Sequence, residues 1–348
     1  RRPGQRFDSL AAIRNAAELL PSLELPHDEE SQKRLELRNQ AIASMALPDL
    51  RLVATWPGDL RRTGWAFDAA VERYARGDMD GNVSIRRLND DKELIRLPGF
   101  GIPVWSIQFS RDNRYVAARY EHNSPATLYV WDITRIAPAH ESPLSTSLGS
   151  GVGDADTVIL KVDEVARADA LDFSPDNQRI AIARYDDSIS IFSLADGREQ
   201  TRFPSVAPPT RLRFDPSGGK LAISSVDGRT AGRRKVYDVQ VRHLATGKVD
   251  SIPHPNGVRG IAWHPDGKSL AAACADRRTY ISDLETRKRL SVLEGHEQQV
   301  VGVAFDPSGE LLASATYGIT RLWDVSTGQQ LLAAEGRCGE FSSDGSRL

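Results

Sequence analysis

Three stretches hold residue types whose spacing can do chemistry. In GDMDGN (77–82), Asp78, Asp80 and Asn82 stand at alternate positions, like the first oxygen ligands of a calcium loop. A complete loop also needs a glutamate at its twelfth position and flanking helices. Here the stretch lies between two strand-like segments, and Asp-Gly is a preferred hairpin pair, so it reads as a turn and not as a metal site. In GSGVGDAD (149–156) the glycines alternate. A phosphate cradle needs a strand before it and a helix after it, and the sequence offers neither; a surface loop is the better reading. Arg229, Arg233, Arg234 and Lys235 offer four positive charges to a phosphate. On one hairpin of a chain with net charge −2 they read as a solvated loop.

Enzyme motifs are absent. There is no G-x-S-x-G, H-E-x-x-H or C-x-x-C, no kinase catalytic loop and no metal-binding Asp-Phe-Gly. The seven histidines (27, 122, 140, 243, 254, 264 and 296) are scattered. No carboxylate or histidine cluster recurs at a fixed place in the pattern described below. The sequence therefore predicts no catalytic residue, no cofactor and no metal.

The elements that would position any site come next. With 348 residues, 40% apolar and 26% charged, the chain has an ordinary globular composition. Net charge −2 gives no general field for nucleic acid or an anionic membrane. Two cysteines, Cys274 and Cys338, exclude a disulfide framework and fit a reducing compartment, with the cytoplasm as default. No apolar run approaches the roughly 18 residues of a membrane span. The chain starts Arg-Arg-Pro and stops at SSDGSRL, inside a repeat, so it reads as a piece of a longer protein.

That repeat is the strongest signal. VAFDPSGELLA (303–313) matches IAWHPDGKSLA (261–271), LRFDPSGGKLA (212–222), LDFSPDNQRIA (171–181) and IQFSRDNRYVA (107–117). GEFSSDGSRL (339–348) begins the same unit, and WAFDAAVERYA (65–75) is a worn copy without the turn residues. The aromatic anchors Phe67, Phe109, Phe173, Phe214, Trp263, Phe305 and Phe341 are separated by 42, 64, 41, 49, 42 and 36 residues. A period near forty is that of a four-stranded propeller blade. In each unit a short strand ends at the aromatic, a Pro-Asp-Gly-type turn reverses the chain, and a small apolar strand follows. A third strand then ends at a common register: TRLWDVSTGQ (320–329) and YVWDIT (129–134) carry Trp-Asp there, while other units hold Arg86, Phe192, Arg242 or Ser282.

These residues resemble the WD40-repeat β-propeller family from about residue 60 onward. The resemblance implies an all-β fold of six near-complete blades plus a truncated seventh, with Trp131, Asp132, Trp323 and Asp324 closing third strands. It also implies a buried network of His296, from the single Gly-His pair, with Ser314 and Trp323; the turn aspartate that completes this network in the family is missing from TYGI (316–319). Residues 1–48 differ in kind. Apolar residues recur at helical spacing in RFDSLAAIRNAAELL, where Pro21 stops the helix, and in ESQKRLELRNQAIASMAL. This predicts a short N-terminal α-helical arm before a propeller over 49–348. The arm resembles the joining segment of bacterial transmembrane serine/threonine protein kinases that carry WD40 repeats, which implies an upstream kinase and a membrane tether.

The expected function is a non-catalytic scaffold for a protein or peptide, the sensing or docking part of a larger signalling protein. The alternative is a propeller enzyme or small-molecule binder using the central channel. The turns from second to third strand carry RYEH, RYDD, ADRR and TYG. Tyr and Arg are enriched at binding hot spots, so Arg119, Tyr120, Arg184, Tyr185, Arg277 and Arg278 are the candidate partner site. DLRLVATW (49–56) is expected to supply a ring-closing strand.

Overall fold

A computed structural model describes residues 5–23, 25–45, 64–121, 125–136, 157–166, 170–231, 234–336 and 340–348. The expected closing strand at 49–56 and most of the 135–157 insertion lie outside these. Two helices come first, α1 (Gln5–Leu19) and α2 (His27–Met45). They pack on one another, and Leu10, Ile13 and Ala17 share a cavity with Leu37 and Ala41. Pro21 stands in a short 3-10 turn just after α1, since its ring cannot continue the helix.

Six antiparallel sheets follow, spanning 65–97, 104–165, 171–204, 211–254, 258–293 and 302–335. Each orders its strands sequentially from the axis outward, and the first strands of blades 1 and 2, 3 and 4, 4 and 5, and 5 and 6 touch. Blade 4 adds a hairpin, Arg229–Ala231, against its long third strand Arg234–His243. The fold is a six-bladed, all-β propeller.

The core lies between blades. Six of the seven anchor aromatics pack back on the preceding blade, while Phe67 of blade 1 is exposed: Phe109 joins Ile85 and Leu97, Phe173 joins Leu128 and Val130, and Phe214 joins Ile189 and Ile191. Trp263, Phe305 and Phe341 repeat this against blades 4, 5 and 6. Second strands are wholly buried where both faces meet a neighbour, as in Tyr115–Tyr120 and Ser269–Cys274. That is why these strands read as continuous apolar runs without alternation.

The inner turn of each blade, joining first to second strand, has one geometry. Its fourth residue adopts positive φ at Val71, Asn113, Asn177, Gly218, Gly267 and Gly309, from 52° to 80°. Gly345 does the same after Phe341, at 71°. Neighbouring turns are linked: Ala69 N–H donates to Asn113 Oδ1 at 3.0 Å, and Arg111 N–H to Asn177 Oδ1 at 3.1 Å. Arg179 reaches Gly218 O at 2.8 Å. Residues 340–348 hold only this turn and no strand, so the truncated seventh blade expected from the sequence is not present as a sheet. A strand pair needs partners on both sides of its turn, and 340–348 ends at the turn's return.

Candidate functional site

Equivalent second-strand residues fix the Trp-Asp register. Tyr74, Val116, Ile180, Leu221, Leu270 and Leu312 pair with Arg86, Trp131, Phe192, Arg242, Ser282 and Trp323. Trp131 and Trp323 are buried, at 1% and 2% exposure. Where the position is arginine, other contacts fill it: Arg86 pairs with Asp91 at 2.7 Å, and the Arg242 guanidinium lies 4.1 Å from the Phe203 ring centre.

Trp323 Nε1–H donates to Ser314 Oγ at 2.8 Å, and that oxygen lies 2.7 Å from His296 Nε2. The serine oxygen accepts from the indole and thereby links it to the imidazole of His296. Burial, aided by Arg321, pushes the His296 pKa down to about 4 and keeps the ring neutral. Asp132 is buried and accepts from Arg114 Nη2 at 2.8 Å and Thr134 Oγ1 at 2.6 Å. Burial opposes its charge, but these bonds hold its pKa below the ordinary carboxylate range. Asp324 orders the turn after it, accepting from Ser326 at 2.7 Å and Thr327 N at 2.8 Å. Trp323, Ser314, His296 and Asp132 are buried, with their polar atoms turned inward, whereas the Asp324 turn lies at the surface.

The middle turns, joining second to third strands, share a face with the connections between blades. Gly101 N–H donates to Asp80 O, Ser205 N–H to Asp187 O and Ala275 N–H to Gly257 O, each at 2.9 Å. The expected partner residues divide on this face. Tyr185 is 56% exposed, Arg277 and Arg278 are exposed, and Arg184 is half-buried. Arg278 Nε meets Glu294 at 2.8 Å. Tyr120 and Arg119 go inward, at 1% and 4% exposure. The Tyr120 ring packs edge-on to Phe100 and Tyr129, its hydroxyl donates to Gly81 O at 3.0 Å, and burial pushes its pKa well up. Arg119 pairs with Glu121 at 2.6 Å. Neither is placed to meet a partner, because the buried second strand runs through both.

Other side chains on the same face were missed. Trp105 is 52% exposed, at a bulge between Val104 and Ser106 that turns its ring outward. Its Nε1–H donates to Glu121 O at 2.9 Å. Met79, Val206, Tyr317 and Ile319 stand exposed in middle turns, at a third-strand start or in a blade connection. Tyr317 was visible in TYG; Trp105 was not, since a bulge depends on pairing across strands.

Near the axis a second polar group assembles. Gln108, Asp172, Arg213 and Glu340 each precede an anchor aromatic. Gln108 Nε2 donates to Asp172 at 3.2 Å, Phe214 N–H donates to it at 2.7 Å, and Arg213 lies 3.6 Å from it and 3.3 Å from Glu340. Burial pushes the Asp172 pKa up, against the pull of Arg213. The sequence did not show this mixed polar chain, because four different repeats supply its members. Among the described residues no three His, Cys, Asp or Glu side chains are grouped to hold a metal.

Blades and turns of this geometry define a propeller built from repeats. The family model for the WD domain, G-beta repeat, matches residues 242–283 and 287–324. The chain is a six-bladed propeller carrying WD40 repeats. It is similar to the U4/U6 small nuclear ribonucleoprotein PRP4 of Saccharomyces cerevisiae, with 36% identity over 115 residues, 31% of this chain and 24% of that protein. It is also similar to the chromatin assembly factor 1 subunit FAS2 homolog of Oryza sativa, with 29% identity over 154 residues, 41% and 30% of the two chains. Protein HIR1 of Kluyveromyces lactis shares 25% over 173 residues, 42% of this chain and 20% of its own length. The matches thus span less than a third of each of these relatives. All three come from eukaryotes, and the resemblance of the arm to a bacterial kinase segment gains no support from them.

Proposed function

We propose that the propeller is a non-catalytic scaffold that docks a protein or peptide on the face bearing its middle turns. One observation carries this: Met79, Trp105, Tyr185, Val206, Tyr317 and Ile319 are all exposed there. Exposed aromatic side chains gathered on one face, with arginines among them, have the composition of binding hot spots. Two of the relatives are named as parts of larger assemblies, a ribonucleoprotein and a chromatin assembly factor subunit, which supports the same role. The docking part of a larger signalling protein is the setting we infer; a serine/threonine kinase is one such protein, and only the arm segment speaks for it. The candidate partner residues become Arg184, Tyr185, Arg277 and Arg278, joined by Trp105 and Tyr317. The polar groups near the axis are engaged with one another, so no observation favours a catalytic channel.

The test is co-purification with the Trp105→Ala/Tyr185→Ala/Tyr317→Ala variant and with Val249→Ala/Leu290→Ala, which alters outer strands. Partners should be lost from the first and kept by the second, at matched melting temperatures. Retention of the same partners by the first variant refutes the reading.

A further inference from the structure

We infer that the docked segment presents an acidic side chain to the axial mouth of this face, between blades 3 and 5. This rests on the docking face proposed above and adds the chemistry of what it takes. Three arginines lie on consecutive blades at that end of the innermost strands. Arg184 directly follows the second strand of blade 3, Arg211 opens the first strand of blade 4, and Arg259 is second in the first strand of blade 5. All three are half-buried. Arg259 is the bulged residue between Val258 and Gly260, four before Trp263; Trp105 holds the equivalent place before Phe109. A bulge re-aims its side chain, so the same device that exposes Trp105 in blade 2 sets a guanidinium in blade 5.

Among the described residues Arg184 and Arg259 enter no ion pair, and the Nε of each is buried without a hydrogen-bond partner. Most other arginines of the propeller are paired, such as Arg114 with Asp132 and Arg202 with Asp186. A buried N–H left without an acceptor is costly, and the fork of a guanidinium matches a carboxylate with two parallel bonds. Tyr185, next to Arg184 in the chain, and Val206, in the connection that leads to Arg211, stand exposed on this face, so apolar side chains should flank the acid in the docked segment. A run of phosphates fits less well. Asp186, Asp187 and Asp276 lie in the same middle turns, and the chain's net charge is −2, so a polyanion meets repulsion that one carboxylate between apolar neighbours avoids.

The whole chain is tested on an array of capped twelve-residue peptides with a fixed Leu, Phe and Ser background and Glu, Gln or Lys at the centre. Glu-centred peptides should be retained about tenfold over their Gln counterparts, as expected for a charge-assisted pair. Arg184→Gln/Arg259→Gln should abolish that preference and leave Gln-centred binding unchanged, while Arg184→Lys/Arg259→Lys keeps part of it. Trp105→Ala/Tyr185→Ala should weaken Glu- and Gln-centred peptides alike. Equal retention of Glu and Gln, or better retention of Lys, overturns the acid recognition and leaves the docking face standing. Retention of no peptide, or preference for a twenty-nucleotide oligothymidylate, overturns both. Circular-dichroism melts of each variant verify that its fold is kept.

Discussion

Ser343 donates its backbone N–H to the carbonyl of Ala69 at 2.7 Å, joining the last turn of the chain to the first. Arg347 adds a bond to Val71 O at 2.6 Å. Turns 276 residues apart thereby complete a circle begun by Ala69 with Asn113 and Arg111 with Asn177. The turn after Phe341 has no sheet behind it, yet it occupies the place between blade 6 and blade 1: Gly345 sits beside Pro307 on one side and Ser343 on Ala69 on the other.

Val71 is the odd member of this circle. Its φ is 52°, at the position where the other turns have asparagine or glycine. A β-branched residue there costs about 1–2 kcal/mol. Val71→Gly should therefore raise stability by about 1 kcal/mol, after allowing for the greater chain entropy of glycine in the unfolded state. Urea titration measures it; an unchanged or lower midpoint would show that packing of the valine side chain outweighs the backbone strain.

Trp323 and Ser314 act as a unit. Trp323→Ala should cost about 3–5 kcal/mol, as should Trp131→Ala, since each removes a large buried ring. Ser314→Ala leaves the Trp323 indole N–H without its acceptor and should cost roughly 1–3 kcal/mol. If the bond matters as stated, Trp323→Phe should cost less in a Ser314→Ala background than in the unaltered chain. Additive costs in that double-mutant cycle would mean that the 2.8 Å contact contributes nothing of its own.

Turn chemistry and aromatic period were legible because both are local: Pro-Ser-Gly and Pro-Asp-Gly announce the inner turns of blades 4, 5 and 6 from four residues each. Blade 1 shows the limit. DAAV (68–71) has neither the Pro nor the Gly of those turns, and the Asp68 carboxylate, accepting from Glu72 N at 2.8 Å and Arg73 N at 3.1 Å, holds it in register together with the neighbours of Val71. Surface and interior were harder to tell apart. Arg119-Tyr120 and Arg184-Tyr185 are the same dipeptide, but the second strand of blade 2 runs through Tyr120 while that of blade 3 stops at Ala183. Strand length depends on the partner strand, which the dipeptide does not encode. Asp172, Arg213 and Glu340 lie far apart in the chain, and only the closed ring brings them together.

Asp172 is a bridge between blades as well as a charge. It accepts the Phe214 N–H of blade 4 and the Gln108 amide of blade 2. Asp172→Ala leaves that backbone donor buried and should cost about 1–3 kcal/mol. Asp172→Asn keeps an acceptor oxygen for Phe214 and, because burial already works against the charge, should cost less. A larger loss for Asn than for Ala, read by thermal melts at pH 7, would reverse this account of what the side chain does.

Acid should unfold the propeller through its histidines before its carboxylates. Burial pushes His254 down to about 4, and His296 likewise to about 4, from the ordinary 6.5. Above pH 6.5 both rings are neutral folded or unfolded, and they contribute no pH dependence. As pH falls below 6.5 the unfolded chain takes up protons that the folded one refuses, so stability drops, and the loss levels off once pH passes the folded value near 4. Each ring accounts for at most about 3 kcal/mol over that window. Asp132 and Asp324, whose pKa values are lowered by their hydrogen bonds, add their losses only below the ordinary carboxylate range. Melting temperature should therefore fall between pH 6.5 and 4, and His254→Gln should flatten that limb even if it lowers stability at pH 7. An unchanged slope in the variant would place the acid sensitivity elsewhere.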